Sequence, residues 1–275
     1  MAKKPSVEFV LRPFEGLPGE PDWVAMREIV PAATATVRTT AEHGSREVMV
    51  TTVLPEGWPA LHRADGLVMV ALQTSTGSGD ASRDVAAALL AATELEPGTP
   101  VTTIGLPEPG PRLQDVLDLS VPFEVTVHDS YDYWLTPDTE RTADVQASLD
   151  EARETIIPTR KLTSVPSAYW CHMGDKEFLR WAMPHDEQAM IDALARLHAA
   201  RRSGIGDARF VGYFRSSGIA VPVWELARGT EPDALEGPAT EFLARFDEAL
   251  ADTTPLDANA RRARAGLVSR QVTLR

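Results

Sequence analysis

The segment His128–Trp134 places one imidazole, two carboxylates and three aromatic rings within seven positions. Asp129 and Asp132 have the side chains that general acid–base catalysis uses to transfer protons. The same residue types favour turns, because an aspartate side chain hydrogen-bonds to nearby backbone amides. The segment His185–Glu187 carries a second acidic pair, which is typical of a helix N-cap followed by a first-turn acid. We therefore expect structural rather than catalytic roles for both pairs.

Cys171 is the single cysteine of the chain. It is followed by His172 on a predicted strand, where consecutive side chains point to opposite faces and do not share a metal ion easily. His185 and His198 are too far around a helix to face one way. Since no Cys-x-x-Cys or His-x-x-x-His pair occurs, we expect no structural zinc and no cofactor. A small buried thiol is the expected role of Cys171.

The glycine-containing segment Gln73–Asp80 lies between a predicted strand and a predicted helix. Backbone amides of such a loop can hold an anion at a helix N-terminus. However, no Lys-Ser/Thr pair follows Gly79, and Asp80 would repel a phosphate from that position. We interpret the segment as a connecting loop.

Aromatic residues on predicted strands or at their ends, from Trp134 onward, are the most suggestive feature of the chain. Tryptophan beside arginine is typical of the centre of a protein-binding surface. Burial of the rings between the two halves is the alternative interpretation. The candidate binding residues are Trp134, Tyr169, Trp170, Arg180, Trp181, His185 and Trp224.

The chain has 275 residues, 43% of them hydrophobic and 24% charged, as in ordinary globular proteins. Its formal charge of −13 disfavours nucleic acid and anionic lipid as partners of the main body. The lone cysteine, together with the lack of a secretory signal or a long apolar run, predicts a cytoplasmic protein.

Hydrophobic periodicity predicts five main helices and ten extended segments. The helices are predicted at about 21–30, 80–93, 142–156, 186–202 and 238–251, and the strands at 33–39, 47–54, 67–73, 99–104, 121–128, 159–163, 168–173, 178–183, 209–215 and 220–226. The order of these elements predicts an α+β fold of two similar halves, each a mainly antiparallel twisted sheet with helices packed on it.

We divide the chain into a first half at residues 1–137, a second half at 138–256 and a basic C-terminal tail at 257–275. These segments carry net charges of −10, −7 and +4, counted from their Lys, Arg, Asp and Glu residues. The pair Leu61-His62 lies 110 positions before Cys171-His172, and in both places a strand and a helix follow. A tandem duplication is one explanation, and chance similarity of a common hairpin-then-helix unit is the other.

The tail carries Arg261, Arg262, Arg264 and Arg270. These side chains can contact RNA through phosphates. They can equally lie against the protein's own acidic segments. Apart from this tail, we expect no nucleic-acid partner.

Several strings of the chain resemble an uncharacterised actinobacterial protein family. The strings span Arg12–Glu20, Val30–Ala33, Ser82–Asp84, Trp181–His185, Asp192–Ala200 and Arg270–Leu274. Members of that family often begin with a cysteine-rich SEC-C-type zinc motif, and some are labelled translocase-related on the strength of it. This sequence lacks the motif, so the label does not transfer, and the resemblance implies no known activity.

The order of elements also resembles the type III secretion chaperone-like domain, which occurs in bacterial sensory-transduction regulators as well. The resemblance lies in the order helix, three strands, helix, two strands, helix across residues 138–252. It implies a similar fold, and a fold alone does not fix function.

The leading hypothesis is a non-enzymatic, cytoplasmic protein-binding or chaperone-like module with a protein partner. One alternative is an enzyme or small-ligand-binding protein with a site between the halves. Another is RNA or ribosome association through the basic tail.

Overall fold

The computed structural model describes residues 7–74, 77–104 and 109–269. The chain folds as two compact units, one ending at Ile156 and the other beginning at Ile157. Both contain a β-sheet with helices, which confirms the predicted α+β class. Within the described ranges, every helix is too short or too polar to cross a bilayer.

The first unit contains four α-helices and six strands in its described part. The helices are α1 (Glu20–Glu28), α2 (Ala81–Thr93), α3 (Leu113–Val116) and α4 (Ala143–Arg153), and the strands are β1 (Ala33–Arg38), β2 (Glu47–Thr51), β3 (Ala60–His62), β4 (Val68–Ala71), β5 (Thr99–Val101) and β6 (Thr126–Val127). They form one sheet in the order β5-β3-β4-β2-β1-β6. All neighbouring pairs are antiparallel except β2 and β4, which run parallel.

Local sequence explains where the helices begin. Asp80 caps α2 by accepting a hydrogen bond from Ser82 N, and Thr142 caps α4 by accepting one from Val145 N. Before α1, Gly19 has a φ of +66°, and a Cβ atom there would lie 3.2 Å from the Cβ atom of Phe123. Glycine is therefore required on both conformational and steric grounds.

The second unit contains three α-helices and five strands among its described residues. The strands are β7 (Thr159–Lys161), β8 (Ala168–Met173), β9 (Lys176–Trp181), β10 (Arg209–Ser216) and β11 (Ile219–Glu225), and the helices are α5 (Glu187–Ala199), α6 (Glu236–Ala251) and α7 (Ala258–Ser269). The sheet order is β10-β11-β9-β8-β7, and every neighbouring pair is antiparallel.

The core of the second unit lies between its sheet and its helices. Trp181, Trp224 and Phe242 are buried there, and the Trp224 and Phe242 rings meet edge to face at 5.0 Å. Trp224 Nε1 donates to Ser203 O, so the buried indole keeps a hydrogen-bond partner.

The predicted boundaries differ from those of the compact units. The helix predicted at 142–156, which we assigned to the second half, is α4 of the first unit. It packs there through Leu149 against Ala32 and Tyr131. Residues 257–269, predicted as part of a separate tail, form mainly α7 and belong to the second unit, where Leu267 is buried.

The similarity between the two units is confined to one segment. In both, a hairpin (β3–β4 and β8–β9) is followed by a helix (α2 and α5). The strand that pairs with the second strand of each hairpin differs. In the first unit β4 pairs with β2 in parallel, whereas in the second unit β9 pairs with β11 in antiparallel. The prediction that one half largely repeats the order of the other therefore holds only for the hairpin and its helix.

Candidate functional site

A group of aromatic side chains lies directly after the edge strand β6. His128 N donates to Ala32 O, which continues the pairing of β6 with β1. A 3-10 turn at Asp132–Trp134 then brings the following rings onto the sheet of the first unit. The segment predicted as a turn between strands therefore carries a cluster of rings.

The rings of this segment are held against one another. Tyr131 and Trp134 stack with centroids 4.2 Å apart and an interplanar angle of 10°. Tyr133 meets Trp134 edge to face at 6.3 Å and lies 4.8 Å from the His128 ring. Trp134 Nε1 donates to Val53 O at 3.0 Å. Stacking and hydrogen bonding together fix the orientation of the indole.

The aromatic rings continue into a wider apolar surface, which we call the aromatic face. It surrounds the buried side chains of Leu54, Leu61, Met69 and Ala71. Its members share partial burial and contact with this group; they are Met49, Trp58, Leu67, Tyr133 and Trp134.

Strand geometry explains why Met49 belongs to this face. Glu47, Met49 and Thr51 alternate with buried valines along β2, so they share one side of the sheet. Met49 lies opposite Met69 of β4, and Met69 lies opposite Leu61 of β3. Trp58 follows a 3-10 turn that begins with Pro55.

Arg63 joins the β3–β4 turn to the aromatic segment. Its Nη1 donates to Tyr133 O at 2.8 Å and to Leu135 O at 3.0 Å. Its Nε and Nη2 donate to the two carboxylate oxygens of Asp65. These hydrogen bonds from Arg63 lower the pKa of Asp65. The Arg63 side chain is only 11% exposed, so it positions the face rather than reaching into solvent.

Exposed carboxylates dominate the three segments that supply the aromatic face. Residues 47–51, 54–67 and 128–141 carry seven acidic residues and two arginines, Arg63 and Arg141. The acidic residues are all exposed; they are Glu47, Glu56, Asp65, Asp129, Asp132, Asp138 and Glu140, and we call them the acidic rim.

His128 and Thr34 form the hydroxyl–imidazole pair of this region. His128 Nε2 and Thr34 Oγ1 are 2.8 Å apart. Burial lowers the pKa of His128, and nearby Asp129 partly offsets this. The imidazole is therefore neutral near pH 7. The hydrogen bond joins β1 to the residue after β6, which accounts for the pair as a structural contact.

Tyr133 has a strongly perturbed phenol. Burial raises its pKa to about 12, although the nearby hydroxyls of Thr51 and Thr52 act in the opposite direction. A phenol that stays protonated at neutral pH contributes apolar surface rather than a base.

One comparison with known proteins finds a match over nearly the whole of this chain. A family model described as "Family of unknown function (DUF5926)" matches residues 13–275. The chain belongs to this family. No curated protein and no solved structure matches it. Membership of DUF5926 agrees with the predicted uncharacterised family, whereas the actinobacterial origin, the zinc motif of relatives and the chaperone-like resemblance stay predictions.

Three of the seven predicted binding residues of this DUF5926 chain, Trp170, Trp181 and Trp224, belong to the core of the second unit. Trp181, Trp224 and Tyr169 are at most 2% exposed, and Arg180 is also buried. Trp170 is buried and donates from Nε1 to Thr230 O. The sequence left an exposed binding surface and burial of the rings as alternatives, and the three tryptophans are buried in the core. A binding role for them stays a prediction.

Two predicted residues retain some exposure, in different units. Trp134 belongs to the aromatic face of the first unit. His185 of the second unit is half-buried beside Phe246, with ring centroids 5.6 Å apart. Burial lowers the pKa of His185, and Asp247 partly offsets this.

The sequence did not single out Met49, Trp58, Leu67 or Arg63. Trp58 follows Pro55-Glu-Gly, a turn signal that could have marked it as an anchored ring. Arg63 had no local signal, because its partners at Tyr133 and Leu135 are 70 and 72 positions away.

The other chemical candidates have structural explanations. Burial raises the pKa of Cys171, which keeps it a thiol and a poor nucleophile. Among the described residues, no group of three or more His, Cys, Asp or Glu side chains could hold a metal ion. In the segment Gln73–Asp80, residues 75 and 76 lie outside the described ranges. Asp80 is bound by Ser82 N and by Arg112 Nε.

The arginines of the basic tail are partly engaged within the second unit. Arg264 Nε donates to Asp192 Oδ1 at 2.6 Å. Arg261 donates to the carbonyl of Leu256. Arg262 is exposed, and Arg270 lies outside the described residues.

Proposed function

We propose that this DUF5926 protein is a non-enzymatic protein-binding module and that the aromatic face of its first unit is the binding surface. The observation that carries the proposal is the cluster of half-buried rings at Trp58, Tyr133 and Trp134, with the backbone of Tyr133 held by the largely buried side chain of Arg63. Tryptophan, tyrosine, methionine and arginine are enriched where protein interfaces gain most of their energy.

The rigidity of the face supports this role. Trp134 is fixed by stacking on Tyr131 and by its bond to Val53 O, and Arg63 holds the backbone behind it. Side chains that are already ordered lose little entropy when a partner binds. The face is therefore prepared for binding.

Charge indicates the chemistry of the partner. The segments that supply the apolar rings also carry the acidic rim, so we infer a complementary segment with large apolar side chains flanked by lysine or arginine. Opposite charges across an interface increase the association rate and select the partner. A chaperone-like role, which binds many such segments, is a broader form of the same proposal.

The non-enzymatic part of the proposal rests on the state of the candidate catalytic groups. Cys171 is a buried thiol, and the imidazole of His128 is bonded to Thr34. The cytoplasmic location also belongs to the proposal, since the one cysteine is free.

Selection from a random peptide library, followed by affinity measurement, tests the proposal. We expect enriched peptides with apolar anchors and basic flanks. Their affinity should fall about tenfold for Trp58→Ala and for the double variant Glu56→Lys/Asp132→Lys.

The matched control is Glu94→Lys/Glu96→Lys, which makes the same charge change at two exposed positions after α2. It should leave the affinity within about twofold of the original protein. Failure to enrich a peptide family, or equal loss of affinity in the control, would contradict the proposal.

A further inference from the structure

We propose that the second unit binds a free amino acid with an apolar side chain in a cavity between the end of α5 and the start of α7. The cavity has a volume of about 330 Å³. Arg196, Ala199 and Ala200 line it from the end of α5, and residues between 252 and 260 line the rest. This volume is at the lower end of the range of ligand sites, which suits a ligand of that size.

Arg196 supplies an unused hydrogen-bond donor at the cavity. Its Nε donates to Asp252 Oδ2 at 3.0 Å, and its Nη2 donates to the carbonyl of Thr254, so the guanidinium is fixed in place. The third nitrogen, Nη1, is buried and has no hydrogen-bond partner among the described residues. A buried donor without an acceptor is costly, and a guanidinium group binds a carboxylate strongly. We therefore assign Nη1 to the carboxylate of the ligand.

Asp257 supplies the opposite charge. Its Oδ1 accepts a hydrogen bond from Ala260 N at 2.7 Å and thereby caps α7. A carboxylate has about four acceptor positions, so the same side chain can also bind an ammonium group. Hydrogen bonds from the hydroxyl and the amide of Thr254 lower the pKa of Asp252, so this second carboxylate of the cavity is ionised at neutral pH.

The charges placed at the cavity by these contacts balance. Arg196 and Asp252 form an ion pair, and Arg261, four positions after Asp257, donates to the carbonyl of the lining residue Leu256. Two positive and two negative groups favour a ligand that carries both signs and no net charge. A free amino acid is such a ligand, whereas a simple anion or a simple cation meets unfavourable charge on one side.

Apolar lining residues provide for the side chain of the ligand. They are Pro255, Leu256 and Ala260. Small-molecule sites combine such apolar walls with a few polar groups that orient the ligand. The site belongs to the second unit and does not depend on the aromatic face of the first.

Isothermal titration of the full-length chain with L-leucine, L-methionine and L-phenylalanine tests the inference. We expect at least one of them to bind with a dissociation constant below about 1 mM. Binding weaker than this for all three would overturn the inference.

Analogues of the ligand separate the roles of its two charges. For L-leucine they are 4-methylpentanoate, which lacks the amino group, and 3-methylbutylamine, which lacks the carboxylate. Each analogue of the amino acid that binds should bind at least about tenfold more weakly than that amino acid. An analogue that binds equally well would contradict a site for both charges.

The variant Asp257→Asn tests the ammonium position without removing the helix cap, because asparagine is also a good N-cap residue. It should weaken binding about tenfold. The matched control is Asp207→Asn, at an exposed position of the same unit, which should change the affinity less than about twofold. Equal effects of the two substitutions would contradict the assignment of Asp257.

Hydrogen–deuterium exchange locates the bound amino acid. We expect slower exchange in residues 196–200 and 252–260 when the ligand is present. Slowing that is confined to other segments would overturn the inference, even if the affinity agreed with it.

Discussion

At the scale of single residues, Arg63 holds the candidate site together. Its guanidinium donates to two backbone carbonyls of the aromatic segment and to both carboxylate oxygens of Asp65. Most of this side chain is withdrawn from water, so its hydrogen bonds matter more than those of an exposed arginine. Arg141 forms an exposed pair with Asp132 and offers a comparison in the same region.

Replacement of Arg63 by alanine should lower the free energy of unfolding by about 2 to 3 kcal/mol, because two partly buried carbonyls lose their donors. Arg141→Ala should change it by less than about 0.5 kcal/mol, since exposed pairs contribute little. Urea unfolding measures both. Equal effects of the two substitutions would show that Arg63 does not position the segment.

The two half-buried histidines should make stability depend on pH. Burial lowers the pKa of His128 and His185 from the ordinary 6.5. Below pH 6.5 the unfolded chain therefore binds more protons than the folded one. The free energy of unfolding falls as the pH decreases, until the pH is below the pKa of these histidines in the folded protein. The pKa of Asp65 is lowered from its ordinary value of 3.8, so carboxylates of this kind affect stability only at more acidic pH.

Urea unfolding between about pH 7.5 and about pH 5 tests this dependence. We expect the original protein to lose stability over this range and the His128→Gln/His185→Gln variant to lose less. A stability that increases on acidification would contradict the assigned direction of both pKa shifts.

At the scale of elements, α4 supports the aromatic segment. The stripe Val145, Leu149, Ala152 and Ile156, predicted from helical periodicity, packs near Tyr131 and Trp134. Leu149 is its buried member. The helix therefore packs in the first unit, although we predicted it as part of the second half of the chain.

Leu149→Ala should lower the free energy of unfolding by about 2 to 3 kcal/mol, through lost burial and the cavity it leaves. Gln146→Ala, at an exposed position of the same helix, should change it by less than about 0.5 kcal/mol. Chemical denaturation distinguishes the two outcomes. A Leu149 effect no larger than the control would show that α4 is not packed as described.

Local signals account for the elements that the sequence predicted well. Asp80, Thr142 and Asp186 mark helix starts, and the structure confirms each as an N-cap. The strand predicted at 121–128 is only two residues long, because Phe123 instead stacks on Trp23 at 4.0 Å. This contact joins positions one hundred apart, and a local pattern does not reveal it.

Strand pairing and the candidate site depend on the same kind of distant contact. The parallel pairing of β2 with β4 could not be read from alternation, which gives the face of a residue but not its neighbour. Trp134 was predicted as a binding residue from its type. Its neighbours Met49 and Trp58 come from other segments, and only the fold brings them to it.

At the scale of the whole molecule, the candidate aromatic residues have different surroundings in the two units. Three of the rings that suggested a binding surface in the second unit, Trp170, Trp181 and Trp224, lie in its core. The first unit has a partly exposed group of rings, and the segments that supply them carry seven exposed acidic residues. Part of the negative charge counted from composition therefore lies in the segments that form the surface where we propose a partner binds.

Hydrogen–deuterium exchange in the presence of a saturating library-selected peptide tests this account most directly. We predict slower exchange in residues 54–67 and 128–141, and the slowing should disappear with Glu56→Lys/Asp132→Lys. Protection confined to residues 157–269, with none in the two segments of the aromatic face, would contradict the account.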